Sequence, residues 1–228
     1  MDGRPIPTHV PHIYLALGKP AGVVTTREDP HAPRTVLDLI RPGLAARLGP
    51  HADAIGAGIH PVGRLDADTE GLLLLTNDGE FTYLLTHPRH QVPKTYEAVV
   101  SGIPAPETLR QLAAGIPLEG RMTAPARVRL LAVDRDHRRA RVEVELHEGR
   151  KRQVRRMLAA VGHPVIELRR TRIGNVTLGR LRPGEWRELR PAEVSGLIAL
   201  ARGEPLPEAP PAARRPHPRR LPRRRTGG

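Results

Sequence analysis

The chain has 228 residues, a formal net charge of +13 and a sequence pI of about 11.4. It has no cysteine, which excludes disulfides, thiolate nucleophiles and Cys-based zinc sites, and makes the cytoplasm the default compartment. Its longest apolar runs, such as Leu72 to Leu75, are too short to cross a bilayer, and Met1 to Pro11 carries Asp2, Arg4 and prolines where an export signal has an apolar core.

Residues 1–11 read as a flexible lead-in. Ile13 to Leu17 is a strand candidate that runs into Gly18-Lys19-Pro20-Ala21-Gly22, a turn by its Gly and Pro content. Arg34 to Ile40 suits a short helix, and Arg41 to His60, rich in Gly and Pro, reads as a surface loop. Gly63 to Gly71 is a polar, glycine-bracketed turn containing Asp66, and it leads directly into a buried strand over Leu72 to Thr76. Asn77-Asp78-Gly79 breaks that strand and caps a helix over Glu80 to Thr86.

Lys94 to Ser101 reads as a strand, and Pro106 to Ala114 as a helix with Pro at its start and Gly115 at its end. Arg127 to Val133 and Arg141 to Leu146 alternate apolar and polar residues around the polar turn Asp134 to Arg139, the pattern of a hairpin. Arg150 to Val161 is a helix with Val154, Met157, Leu158 and Val161 on one face. Val165 to Ile173 and Trp186 to Leu189 are further strands, and Pro191 to Arg202 closes the folded part. Residues 203–228 are Pro, Ala and Arg with little to bury, and read as a disordered basic tail. Hairpin signals without regular β–α alternation give an α+β fold with a mixed, largely antiparallel sheet and flanking helices.

Seven arginines lie between Arg214 and Arg225, and setting them aside still leaves +6 on the remainder. A polyanion, nucleic acid first, is the simplest partner for such a charge. Five aromatic residues are too few for a protein that binds single strands by stacking many bases.

Three constellations bear on chemistry. Asp66 begins a run, Asp66-Ala67-Asp68-Thr69-Glu70-Gly71, that resembles the opening of a calcium loop. That reading fails at the twelfth position, where Asn77 stands in place of a bidentate Glu. The plain alternative for Asp66 is a cap or solvated turn. Against it stand Arg64 two residues earlier and two glycines that permit close approach by a ligand. The second is Glu148-Gly149-Arg150-Lys151-Arg152-Gln153-Val154-Arg155-Arg156-Met157. Arg155 borders the buried stripe, from which a long side chain can reach inward to a carboxylate, while Arg152 and Arg156 at i, i+4 would face phosphates together. The third is Tyr96 in Lys94-Thr95-Tyr96, otherwise readable as a core tyrosine. His9/His12 and His87/His90 lack a third ligand, so no metal is expected, and no nucleotide-binding motif supports a cofactor.

The ordered set from Lys19-Pro20-Ala21-Gly22-Val23 through Pro61 to Asp66, Lys94-Thr95-Tyr96 and Glu148 to Met157, ending at Gly184-Glu185-Trp186-Arg187-Glu188-Leu189, resembles the pseudouridine synthases of the RsuA type, the group with RluB, RluE and RluF. The resemblance implies the pseudouridine synthase fold with a central RNA-binding cleft over residues 12–202, and isomerisation of a uridine in ribosomal RNA, with large-subunit 23S rRNA the expected target. It implies Asp66 as the essential aspartate, Tyr96 as the active-site tyrosine and Arg155 as the basic partner of Asp66. Lys19, Arg64, Arg152 and Arg156 would line the RNA cleft, and Leu181 would lie beneath the base. Many members begin with an S4 domain, for which the early Lys19-Pro20 leaves no room, as in the short RluE form. The expected partner is ribosomal RNA or a pre-ribosomal particle, with no cofactor, no membrane and a monomeric, cytoplasmic chain. Two other classes remain open: a non-catalytic ribosome-assembly protein, and a sugar-bond hydrolase pairing Asp66 with Asp68 or Glu70.

Overall fold

The computed structural model describes residues 11–26, 34–48 and 58–206. Its frame is a sheet built, in order, from Trp186–Glu188 (β11), Tyr14–Lys19 (β1), Glu70–Thr76 (β3), Val165–Ile173 (β9), Lys94–Ser101 (β4), Arg139–Leu146 (β8) and Arg127–Asp134 (β7). Two short strands, His60–Pro61 (β2) and Val176–Thr177 (β10), pair with β3 and β9. The expected α+β architecture is present, and the sheet is antiparallel except where β3 meets β9.

The half of the sheet around β1 and β3 is covered on both faces, which explains the unbroken apolar run. Leu73 and Leu75 pack with Leu15, Leu17 and helix Val36–Leu48 (α1), while Leu72 and Leu74 pack against Gly79–Thr86 (α2) and Pro191–Arg202 (α5). All four leucines have 0% exposure, and burying each contributes about 1.5–3 kcal/mol before entropic costs. The β4–β8–β9 half is covered on one face by Pro106–Ala114 (α3) and Gln153–Ala160 (α4), so its strands alternate buried and exposed residues.

The two halves join along a short parallel seam, Glu70↔Arg169 and Gly71↔Arg170. Gly71 has φ +109°, and a Cβ there would run into the Arg170 carbonyl, so glycine is required for the strands to meet. This close approach brings the loop before β3 over the face of β4 and β9.

Among the boundaries that differ from the sequence reading, two have a clear physical cause. The expected loop from Arg41 begins instead as a continuation of α1 to Leu48, with Pro42 inside the helix. Proline lacks the N–H that would reach back one turn, a cost of about 3 kcal/mol. Burial of Ile40 and Leu44, with Gly43 against the Trp186 indole, offsets it. Residues 49–57 of that expected loop lie outside the described residues. The helix expected from Arg150 starts only at Gln153, because Arg152 adopts a left-handed backbone (φ +51°) at its N-cap. The lead-in before Pro11 and the tail after Leu206 also lie outside the described residues. Among the described residues no helix is long and apolar enough to cross a membrane.

β11 is tied to α5 by Glu193, which accepts two hydrogen bonds from Arg187 (both 2.8 Å) and one from the Arg190 N–H (2.8 Å). Burial pushes this carboxyl up, but the hydrogen bonds from Arg187 and the Arg190 backbone outweigh it and bring it down to about 2. A depressed carboxyl stabilises the fold above its ordinary value, 4.5, and that contribution is lost as pH falls from there toward about 2. Glu193→Gln is therefore expected to lower the melting temperature at pH 7. The gap to wild type should close across that acid window when melts are followed by circular dichroism. A gap that stays constant with pH would assign the loss to packing.

Candidate active site

The loop from Val62 to Thr69 is fixed almost entirely through its backbone. Gly63 turns it with φ +72°, and the Thr69 N–H donates to the Asp66 carbonyl at 3.0 Å. The Thr25 hydroxyl donates to the Leu65 carbonyl at 2.7 Å, and the Gly22 N–H donates to the Ala67 carbonyl at 2.8 Å. Leu65 is buried in the core beneath. Lys19, with 0% exposure, donates from Nζ to the carbonyls of Pro20 (3.0 Å), Ala67 (3.3 Å) and Thr69 (2.9 Å). Those three bonds use every donor an ammonium has. Burial lowers the Lys19 ammonium to about 8, against the opposing pull of Asp68, Asp66 and Glu70.

With its backbone held, the Asp66 side chain is left 41% exposed at the wall of a cavity of about 640 Å³. Tyr96 and Lys94 from β4, Arg170 and Ile173 from β9, and Leu146 from β8 line the same cavity, as do Arg64, Glu148 and Arg152. Tyr96 and Lys94 are two apart on one strand and so share a face. Arg170 is the register partner of Tyr96 across a β-bulge, and its guanidinium carbon lies 6.0 Å from the phenol ring centroid. The site thus combines an acid on a rigid loop, a half-buried phenol and several cations.

The left-handed N-cap of α4 sends Arg152 across the cavity to that loop. Its guanidinium meets Asp68 in bidentate fashion (3.1 and 2.9 Å) and comes within 3.6 Å of Asp66. Arg155, only 13% exposed, donates to the Asp68 carbonyl at 2.9 Å and lies 3.3 Å from its carboxylate. The Arg152 hydrogen bonds, with Arg155 beside them, hold the Asp68 carboxyl below the usual carboxylate range.

Several sequence-predicted residues therefore sit differently from expectation. Arg155 was expected to pair with Asp66, but its partner is Asp68, and Arg152 is the guanidinium that approaches Asp66. Arg152 and Arg156 do not share a helix face, because Arg152 precedes the helix and Arg156 pairs with Glu119 at 2.8 Å. Glu119 lies in the tight turn of a small hairpin, Pro117–Leu118 (β5) with Arg121–Met122 (β6). Lys19 cannot touch RNA, because it is buried under the loop it holds. Leu181 does not line the cavity and packs against the cluster that includes Ala16, Leu72 and Leu197. Arg64 is exposed at the cavity wall and has no ion-pair partner among the described residues. His87 and His90 stack around Tyr83, and no three His, Asp or Glu side chains converge as metal ligands among the described residues.

Lys94 and Arg170 were not singled out from the sequence. Lys94 stood two positions from Tyr96, a spacing that already puts both on one face. Arg170 stood in the run Arg169-Arg170-Thr171-Arg172, where only the strand register reveals which arginine turns inward.

Comparison with known proteins gives the site its context. A family model described as RNA pseudouridylate synthase matches residues 13–160. The ribosomal large subunit pseudouridine synthase B of Bacillus subtilis (strain 168) is 45% identical over 189 residues, spanning 83% of this chain and 72% of that protein. The ribosomal small subunit pseudouridine synthase A of Escherichia coli (strain K12) is 38% identical over 200 residues, spanning 86% of this chain and 79% of that protein. A crystal structure of a pseudouridylate synthase superposes with a TM-score of 0.68 at 33% identity, covering 82% of this chain and 74% of the other.

Proposed function

This chain belongs to the RNA pseudouridylate synthase family, and on that premise we propose Asp66 as the carboxylate with which it converts a uridine of ribosomal RNA to pseudouridine. The observation that carries the assignment is the contrast within one loop. The backbone around Asp66 is held by hydrogen bonds from Lys19 and Thr25, while its carboxylate stands in a cavity with Tyr96 and Arg152.

The reaction breaks the N1–C1′ bond of uridine, turns the uracil within the site and joins its C5 to C1′. Asp66, ionised, either adds to C1′ or removes the 2′ proton to give a glycal. Arg152, 3.6 Å from Asp66, stands where it can meet a ribose or phosphate oxygen. Asp68 orients Arg152 and Arg155 rather than reacting, since its own oxygens are taken up by both guanidiniums. Tyr96 offers a flat ring for the extruded base and a phenol near the C5 proton. Drawing a uridine out of its stack costs a few kcal/mol. Exposed Arg64 and Lys151 at the cavity wall supply phosphate contacts that offset this cost.

The substrate is RNA. The higher identity to the B. subtilis enzyme favours large-subunit rRNA, free or in a pre-ribosomal particle, with the chain acting as a monomer in the cytoplasm and residues 12–202 forming the catalytic unit. The purified chain is expected to release tritium from [5-³H]uridine-labelled ribosomal RNA and to leave one carbodiimide-reactive position. RNA that keeps its tritium, or that releases free uracil, would reject the assignment in favour of a binding protein or a hydrolase.

A further inference from the structure

Two cations on the cavity floor have no counter-charge. Lys94 is largely buried, and its Nζ donates only to the Val92 carbonyl at 2.9 Å, leaving two donor positions open. Arg170 is 3% exposed and gives its Nε to the Leu72 carbonyl at 2.8 Å, while its buried Nη2 has no partner. Among the described residues no carboxylate lies within ion-pair distance of either. Lys19 differs sharply, since three carbonyls satisfy it and three acidic side chains act on it.

Leaving one buried charge unpaired costs several kcal/mol, and a second like charge beside it adds to that cost. Burial and the neighbouring Arg170 together lower the Lys94 ammonium to about 8. Such an arrangement is stable in use only if a ligand brings negative charge to it. The floor is walled by Leu146, Leu168 and Ile173 and flanked by Tyr96, which suits a flat, weakly hydrated ring better than a phosphate.

We propose that Lys94, supported by Arg170, is a catalytic cation that binds the uracil ring as an anion between cleavage of N1–C1′ and formation of C5–C1′. The inference rests on the synthase reading above. When N1–C1′ breaks, its electron pair stays on the base and spreads over N1, O2 and O4. C5 of this anion then bonds to C1′, either displacing the Asp66 carboxylate or adding to the glycal as the Asp66 carboxyl returns its proton to C2′. The C5 proton leaves, and N1 takes up a proton. The electron count is the same by either route, so the base is an anion while it turns. A cation that donates to O2 or O4 would hold it in the cavity through that turn.

The test compares uridine with 5-fluorouridine at the target position of the same RNA, because fluorine stabilises the base anion and lessens the need for a cation. Lys94→Met should slow single-turnover cleavage of the uridine N1–C1′ bond by about 10²-fold, with RNA affinity within about threefold of wild type. The defect should shrink several-fold with 5-fluorouridine, and Lys94→Arg should restore part of the rate. Equal defects on the two bases, or weaker RNA binding at an unchanged rate, would overturn the proposal. If Lys94→Met fails to fold, Lys94→Arg and Arg170→Lys carry the same comparison. Failure of the wild-type protein to react at all would instead reject the synthase reading on which the inference rests.

Discussion

Asp66→Asn is expected to abolish uridine isomerisation, lowering tritium release by at least about 10³-fold while RNA affinity changes little. The amide has the shape of the acid but can neither add to C1′ nor take a proton. The fold should be untouched, because the loop is held by its backbone: Lys19 and Thr25 bind carbonyls of Ala67, Thr69 and Leu65, not the Asp66 side chain. Arg152 loses an attraction at 3.6 Å, beside its stronger bidentate contact with Asp68, and Lys19 loses one of three acidic neighbours while keeping its three carbonyls. Circular dichroism and filter binding would establish that the variant folds and binds. Turnover within tenfold of wild type would remove Asp66 from the chemistry, and Asp68 would become the carboxylate to examine.

The second large effect is expected from Lys19→Met, a residue that no substrate can reach. Methionine fills much the same volume but strands the carbonyl of Pro20 and the buried one of Thr69, and leaves that of Ala67 to the Gly22 N–H alone. An unmet buried acceptor costs about 1–3 kcal/mol, and removal of a buried charge returns part of that sum. Stability should therefore fall, and the Asp66 loop should lose its fixed position. Because misplacement by about 1 Å can cost about 10²-fold, kcat is expected to drop by up to that amount with RNA affinity nearly unchanged. Lys19→Arg should not rescue, since a planar guanidinium cannot meet three carbonyls arranged around a point charge. A variant with normal kcat and normal melting would show that the loop holds itself.

Much of the architecture was written in local pattern. Lys94–Ser101, Pro106–Ala114, Val165–Ile173 and Pro191–Arg202 have the boundaries expected from alternation, periodicity and Pro/Gly punctuation. The extension of α1 past Pro42 was not legible, because its support comes from Trp186 and from strands distant in sequence. The start of α4 was hidden for a different reason. Arg152 carries no sequence mark of a left-handed residue, and its conformation accompanies a bidentate grip on Asp68 across the fold.

The site divided in the same way. Asp66 stood out by its surroundings and Tyr96 by the family resemblance, and both line the cavity. Which arginine meets which acid was beyond the sequence, since four arginines stand in the run Glu148 to Met157 and three acids in the run Asp66 to Gly71. The choice depends on the angle at which α4 faces the loop. Lys19 misled because lysine is usually on the surface, and only coordinates reveal that its ammonium is spent on carbonyls.

The seam at Gly71 has a consequence for how this molecule can be taken apart. The acid belongs to the stretch before α2, whereas the ring and the unpaired ammonium belong to strands that follow it, and these portions meet where β3 joins β9 and where β1 joins β11. Neither portion alone owns a complete set of reacting groups. Expressed as separate fragments they should be inert, and activity should return only when they reassociate through both strand pairings, one of which depends on the glycine.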